Sequence, residues 1–154
     1  MISAAAPVEV VPVAVSVLVA AAVVAAALPA AATWGGDWPQ WRGPARTGES
    51  PARDLPVRWS ATENVLWKLP LPGGSGSTPI VSGGRVYLNV ADGPEVALWC
   101  VERASGRVSW KRPLGPSEGD AHRKHNMSTP SPVTGDGRVF AMTGNGVVKG
   151  FTVD

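Results

Sequence analysis

The chain has 154 residues, and its 14 lysine and arginine side chains nearly balance its 12 aspartates and glutamates. A nearly neutral chain lacks the clustered positive charge that nucleic-acid binding requires, so the composition argues against a nucleic-acid-binding protein. Its 18 glycines and 15 prolines are typical of strands joined by turns and argue against a helical protein.

Residues 10–32 carry no charged side chain and consist mostly of alanine and valine. They end in PAAA, a pattern of small residues that signal peptidase cleaves. We therefore expect residues 1–32 to be a signal peptide removed after Ala32, which makes the protein periplasmic or secreted. A retained N-terminal membrane segment is the alternative, because the run is long enough to span a bilayer. Glu9 stands where positive charge is usual, which indicates a true start codon further upstream.

A Trp-rich N-terminal segment follows at residues 33–63 and contains four of the seven tryptophans: Trp34, Trp38, Trp41 and Trp59. Further along, Cys100 is the only cysteine, so the chain cannot form an internal disulfide. Its apolar surroundings, ALWCVE, indicate a small buried side chain rather than a reactive thiol.

Two phrases occur twice after this segment. NVLWKLPL at residues 64–71 returns as RVSWKRPL at residues 107–114. In the same way, STPIVSGGRVYL at residues 77–88 returns as PSPVTGDGRVFA at residues 130–141. Alternating apolar residues and tight-turn dipeptides, such as Asp-Gly at residues 136–137, predict several short strands within each unit.

Four short strands per repeated unit are typical of β-propeller blades. We expect an outer strand near residues 65–69, one complete blade over residues 78–112 and three strands within residues 129–153. The fold is therefore predicted to be all-β, with blades of four antiparallel strands in residues 64–154. About two blades are present, whereas closed propellers have about four to eight, so we expect an incomplete propeller, most simply an N-terminal fragment of a larger one. A β-sandwich with an accidental repeat is the alternative.

The repeats also resemble a known family. ERASGRVSW at residues 102–110 resembles the A-x-D-x-x-T-G-x-x-x-W signature of the PQQ-type (quinoprotein) β-propeller repeat. Ser-Gly stands where Thr-Gly is usual, and Glu102 lies one residue from the usual acidic position. DWPQWRGPARTGES at residues 37–50 is similar to the opening of exported PQQ-binding-like propellers, and residues 122–151 are similar to one of their blade segments.

The resemblance implies structural roles for three residues. Trp67 and Trp110 are expected to dock beside the turn of a neighbouring blade and to tie the blades together, with Gly106 in such a turn. Ordinary half-buried aromatic residues on strands are the alternative for both tryptophans. The resemblance implies no catalytic residue among the three.

Two function classes follow from the resemblance. The first is an exported, non-catalytic binding or assembly scaffold of the cell envelope without a cofactor, whose partners are other proteins or the missing blades of its propeller. The alternative is the N-terminal part of a PQQ-dependent quinoprotein alcohol or sugar dehydrogenase, which would hold PQQ with Ca²⁺. Such enzymes often carry an adjacent cysteine pair. The single cysteine and the lack of calcium-ligand spacing favour the scaffold.

Only one stretch concentrates possible metal ligands: Asp120, His122 and His125. Arg123 and Lys124 place two positive charges beside any cation bound there, so we expect no metal and a solvated loop instead. GGSGS, which follows the first repeated phrase, is glycine-rich but lacks the lysine and the helix that a phosphate-binding loop needs.

Overall fold

The structure is a computed structural model that describes residues 36–119 and 122–154. Within these ranges the chain forms seven strands and no helix, so the described residues contain no helix that could cross a membrane. The strands are β1 (Ile80–Ser82), β2 (Arg85–Asp92), β3 (Glu95–Glu102), β4 (Val108–Pro116), β5 (Val133–Gly135), β6 (Arg138–Met142) and β7 (Val148–Thr152). The leader predicted at residues 1–32 lies outside the described residues.

The seven strands form two antiparallel sheets. The first sheet has the order β1-β2-β3-β4 and the second has the order β5-β6-β7, so each strand pairs with its neighbour in sequence. Up-and-down sheets of this kind form propeller blades. The prediction of an all-β fold made of about two blades is confirmed. The first sheet is a complete four-stranded blade, and the two sheets do not close into a ring.

Tight turns at equivalent places begin both sheets. Gly83 and Gly84 join β1 to β2, and their φ angles are 57° and 75°. Asp136 and Gly137 join β5 to β6, with φ angles of 50° and 70°. Two successive positive φ angles are those of a type I′ turn, whose twist matches the flanking strands. The tight turn predicted from the Asp-Gly dipeptide is therefore present.

The first sheet is apolar on both faces, because successive side chains of a strand point to opposite sides. One face is buried against the second sheet. The core at this junction consists of Ile80, Tyr87, Val96, Leu98, Cys100, Leu114, Met127, Val139 and Ala141. The core on the other face consists of Leu88, Val90, Ala97, Trp99 and Val101. Trp67 and Leu69 cover this second core. A sheet of this kind needs a neighbour on each side.

A buried asparagine joins the two sheets. The Asn89 side-chain nitrogen donates to the carbonyl of Pro130 at 2.7 Å and to that of Met142 at 2.9 Å. Tyr87 lies on the same face of β2, and its hydroxyl donates to the Val153 carbonyl at 3.2 Å. Burial is the main cause that raises the pKa of Tyr87 to about 12. Each bond satisfies a backbone carbonyl between the sheets, so together they fix how the sheets stack.

The N-terminal segment covers the first strand of each sheet. Trp38 pairs with Val81 of β1 through two backbone hydrogen bonds, at 2.7 and 2.9 Å. The carbonyl of Pro39 accepts a bond from the Thr134 nitrogen of β5 at 2.8 Å. The Asp37 carboxylate accepts from a backbone nitrogen in the β1–β2 turn at 3.1 Å. Three consecutive residues therefore connect β1 with β5.

The outer strand predicted near residues 65–69 is not a strand in the structure. We call residues 64–71 the outer-strand segment. Its Trp67 and Leu69 pack on the first sheet, but the backbone of residues 65–71 forms no hydrogen bond with the described residues. A strand exists only through pairing with another strand, so the prediction fails because no described residue pairs with this segment.

Candidate interfaces of the blades

Trp67 reaches from the outer-strand segment to the turn between β3 and β4. Its indole nitrogen donates to the carbonyl of Arg103 at 2.8 Å. Its ring lies against Gly106, where an added Cβ atom would sit only 2.5 Å from the ring. Gly106 also has a φ of 73°, which glycine adopts without strain. The structure thus brings two of the three predicted docking residues into contact.

An acidic side chain fixes the turn that receives Trp67. The Glu102 carboxylate accepts a hydrogen bond from the Ser105 hydroxyl at 2.8 Å and forms an ion pair with Arg107. The Ser105 bond, followed by the Arg107 bond, lowers the pKa of Glu102 below its usual range. A carboxylate with a lowered pKa stabilises the folded turn above its unfolded-state pKa, and this contribution is lost as the pH falls through the folded-state value.

Trp110 has different surroundings from Trp67. Its ring centre lies 5.9 Å from that of Tyr87 and 6.4 Å from that of Phe151, so it packs between the two sheets. Its indole nitrogen is buried and has no hydrogen-bond partner among the residues that the structure describes. A buried donor without a partner costs about 1–3 kcal/mol. The blade-docking role that the resemblance implies for Trp110 stays a prediction.

Sequence reasoning missed two hydrogen-bonding groups. One is the side chain of Asn89, which joins the two sheets, and the other is the backbone carbonyl of Arg103, which accepts from Trp67. Asn89 stands in the strand RVYLNVAD, and a polar residue inside an apolar run was the available signal. Arg103 contributes its backbone carbonyl, which every residue type carries, so no sequence signal marks it. The partners of both groups lie far along the chain, and only the folded sheets bring them together.

The N-terminal segment exposes large apolar side chains. Trp41 is 62% exposed and Trp59 is 71% exposed, and Leu55 and Val57 also lie on the surface. The Arg42 guanidinium carbon lies 5.6 Å from the centre of the Trp41 ring, within cation–π distance. Tryptophan and arginine are enriched among the residues that dominate protein–protein binding. The exposed tryptophans of this segment, Trp41 and Trp59, are therefore each suited to contact another protein.

A polar cavity of about 480 Å³ lies where the β1–β2 and β5–β6 turns meet. Arg85 and Arg138 line it together with Asp37, Asp136 and Asp154. Because arginines and aspartates surround the same space, the charge of the cavity does not select an anion or a cation.

The candidate metal ligands are only partly described. The rings of His122 and His125 are exposed, with centres 5.9 Å apart, and Asp120 lies outside the described residues. Among the residues that the structure does describe, no three His, Cys, Asp or Glu side chains come close enough to hold a metal ion. That no metal binds in this loop stays a prediction.

Comparison with known proteins decides the family. Residues 52–153, more than half of the chain, match the family described as outer membrane protein assembly factor BamB, which carries the PQQ-type repeat. The chain belongs to this family. The resemblance to PQQ-type propellers is thereby confirmed, and this BamB-family chain is a β-propeller protein of the binding and assembly type. The family's association with outer-membrane assembly points to the cell envelope. No curated protein and no solved structure matches the chain.

Replacing Gly106 with alanine will test the Trp67 contact. Gly106→Ala adds a methyl group against the Trp67 ring and strains the backbone, so we expect the free energy of unfolding to fall by about 2–5 kcal/mol. Gly137→Ala is the matched control, because Gly137 has a φ of 70° but open space around it, and it should cost about 1–2 kcal/mol. Denaturant unfolding followed by tryptophan fluorescence measures both losses. If both variants lose the same free energy of unfolding, the contact between Gly106 and Trp67 does not add to stability and the prediction is wrong.

Proposed function

We propose that this BamB-family protein is a non-catalytic binding and assembly scaffold that is exported to the cell envelope. Membership of the family supports the proposal. Because one fold serves many activities, the proposal needs support from a surface as well. The exposed tryptophans of the N-terminal segment, Trp41 and Trp59, supply that support and are the observation that carries the proposal.

The loop that presents Trp41 is held in place before any partner binds. Trp38 anchors it to β1, and the Trp38 ring lies against Gly43, where an added Cβ atom would sit 2.7 Å away. The Arg42 guanidinium donates to the Thr47 carbonyl at 2.9 Å and closes the loop. A preorganised surface loses less conformational entropy on binding, so an exposed aromatic group on such a loop binds a partner more tightly.

We also propose that this part of the chain holds no PQQ–Ca²⁺ centre. Calcium takes about six to eight oxygen ligands, most of them carboxylates and carbonyls. No three His, Cys, Asp or Glu side chains among the described residues lie close enough to hold a metal ion, so they do not supply the carboxylates of such a site. The dehydrogenase alternative therefore gains no support from these residues.

Export to the periplasm or beyond is the third part of the proposal. It rests on the uncharged run of residues 10–32 and on the family's association with outer-membrane assembly. In a mature protein without residues 1–32, no leader would tie the chain to the membrane. The exposed tryptophans would then be accessible to partner proteins in the periplasm or outside the cell.

A photoreactive amino acid at position 59 will test the scaffold. When intact cells expressing the full chain are irradiated, we expect discrete protein adducts, because Trp59 is 71% exposed in the N-terminal segment. The control carries the same group at position 136, in the exposed β5–β6 turn, and should give no adduct. Identical adduct patterns on denaturing gels contradict binding through the N-terminal segment.

Titration with PQQ and Ca²⁺ will test the proposed lack of a cofactor. We expect no saturable change in the fluorescence of the tryptophans, since no calcium donor set is present among the described residues. Addition of Ca²⁺ alone is the control for non-specific effects. A stoichiometric transition at micromolar PQQ contradicts the non-catalytic assignment.

The mass of the mature protein will test export. Mass spectrometry of the intact chain from the periplasmic fraction should give a protein that begins at Thr33, because the small-residue pattern ends at Ala32. A chain that keeps residues 1–32 and fractionates with membranes contradicts cleavage and supports the retained anchor.

A further inference from the structure

Two loops that the proposed function does not use lie against each other. The first, which we call the glycine loop, is GGSGS at residues 73–77 and leads into β1. The second, which we call the basic loop, is HRKHNMST at residues 122–129 and precedes β5. A polar cavity of about 280 Å³ lies between them, lined by residues 74–76, residues 123–126 and Thr129. We call this space the loop cavity.

Side chains of the basic loop hold the glycine loop in place. The Asn126 side-chain nitrogen and the Ser128 hydroxyl both donate to the carbonyl of Gly74, each at 3.1 Å. Gly76 approaches the basic loop so closely that an added Cβ atom would sit 2.9 Å from the Thr129 hydroxyl. The walls of the loop cavity are therefore fixed before any ligand binds, which lowers the entropic cost of binding.

The basic loop gives the cavity a positive charge. The side chains of Arg123 and Lys124 are exposed, and neither forms an ion pair with another residue that the structure describes. His125 adds a ring that becomes a cation when it takes up a proton. None of the described residues that line the cavity is an aspartate or a glutamate. The loop cavity therefore favours an anion.

The glycine loop supplies hydrogen-bond donors of a second kind. The backbone nitrogens of Gly74, Ser75 and Gly76 donate no hydrogen bond to another described residue. Free backbone N–H groups beside a lysine or an arginine are the donors that bind phosphate oxygens in glycine-rich loops. The glycine loop has no lysine in its own sequence, but the fold brings Lys124 and Arg123 to it from beyond the first sheet.

The fold does not require glycine at position 74. Its φ angle is not positive, and an added Cβ atom would meet nothing closer than the Asn126 side-chain nitrogen at 3.5 Å, an ordinary contact. Gly73 is different, because a Cβ atom there would sit 2.5 Å from the carbonyl oxygen of Ala91. A glycine without a structural reason allows a ligand to approach the backbone closely. At Gly74 that approach is through the loop cavity.

We propose that the loop cavity binds a phosphate group. A doubly charged oxyanion with several acceptor oxygens matches two cationic side chains and three free backbone donors. The volume of about 280 Å³ lies just below the roughly 300–1,000 Å³ of cavities that hold drug-sized ligands, so the cavity encloses one phosphate group and not a whole cofactor. The group is either inorganic phosphate or the phosphate end of a larger molecule, such as a lipid headgroup.

A phosphate bound here also joins the two sheets. The glycine loop leads into β1 of the first sheet and the basic loop precedes β5 of the second, so one ligand contacts both. A ligand that binds only the folded protein stabilises it in proportion to its occupancy. Phosphate should therefore raise the melting temperature of the protein.

Isothermal titration calorimetry of the full chain in chloride buffer will test the site. We expect inorganic phosphate to bind once per chain with a dissociation constant of about 0.1–1 mM, which two or three charge-assisted hydrogen bonds provide. A parallel flotation assay uses phosphatidylcholine vesicles with and without phosphatidic acid. Binding of inorganic phosphate supports a free oxyanion, and binding to phosphatidic acid vesicles alone supports a lipid headgroup. Binding in neither assay overturns the proposal.

Removal of the two cations will test whether they hold the ligand. Arg123→Gln combined with Lys124→Gln should weaken phosphate binding by about 10-fold or more and abolish the rise in melting temperature. Arg53→Gln combined with Arg58→Gln is the matched control, because it removes the same charge from exposed arginines outside the loop cavity. If the two double variants bind phosphate equally, overall charge attracts the anion and the proposal is wrong.

A variant that keeps every charge will test the position of the ligand. The methyl group of Gly74→Ala fits between the two loops but occupies the cavity, so phosphate binding should weaken by about 3–10-fold. Gly135→Ala is the control, since its added Cβ atom also meets nothing tight and lies outside the loop cavity. Denaturant unfolding without phosphate should show similar stability for both variants. Equal phosphate affinity of the two variants overturns the assignment to the loop cavity.

Discussion

The burial of the first sheet on both faces is the constraint on which the rest of the structure depends. Its central strands β2 and β3 place tyrosine, leucine and cysteine on one face and leucine, valine and tryptophan on the other. Burying one tryptophan-sized side chain contributes about 3 kcal/mol, a large share of the roughly 5–15 kcal/mol that stabilises a domain. Such a sheet is stable only between two neighbours, so stacked blades follow from the strand sequences themselves.

Each tryptophan between stacked blades has an apolar ring to bury and an indole N–H that needs a hydrogen-bond acceptor. Trp67 meets both needs at the β3–β4 turn, where Gly106 leaves room for the ring and the Arg103 carbonyl accepts the indole proton. Trp110 buries its ring beside Tyr87, while its indole nitrogen has no partner among the described residues. Val153 corresponds to Arg103 in the second sheet, and its carbonyl accepts a hydrogen bond from the Tyr87 hydroxyl instead of from the Trp110 indole.

The features that repeat along the chain could be predicted from the sequence, because repetition shows that local patterns agree with the fold. The Asp136-Gly137 turn and the strand alternation in both units are such features. Asn89 could not be assigned, because its partners are two carbonyls more than 40 residues away. The bridge from Trp38 and Pro39 to β1 and β5 was missed for the same reason. The strand predicted near residues 65–69 was wrong, since strand propensity does not supply the neighbour that a strand requires.

The four outer edges of the two sheets are protected to different degrees. Strands β1 and β5 are paired with the N-terminal segment through backbone hydrogen bonds. Strand β4 has the sequence VSWKRPLGP, and its two prolines and adjacent Lys-Arg pair are features that prevent further strand addition. Strand β7 has the sequence VKGFT, with one charge and no proline. Among the described residues, three outer edges are therefore protected and the outer edge of β7 is able to pair, which restricts strand addition to one place. A single open edge adds one strand in one direction, which is the property that orders blades around a propeller instead of allowing irregular aggregation.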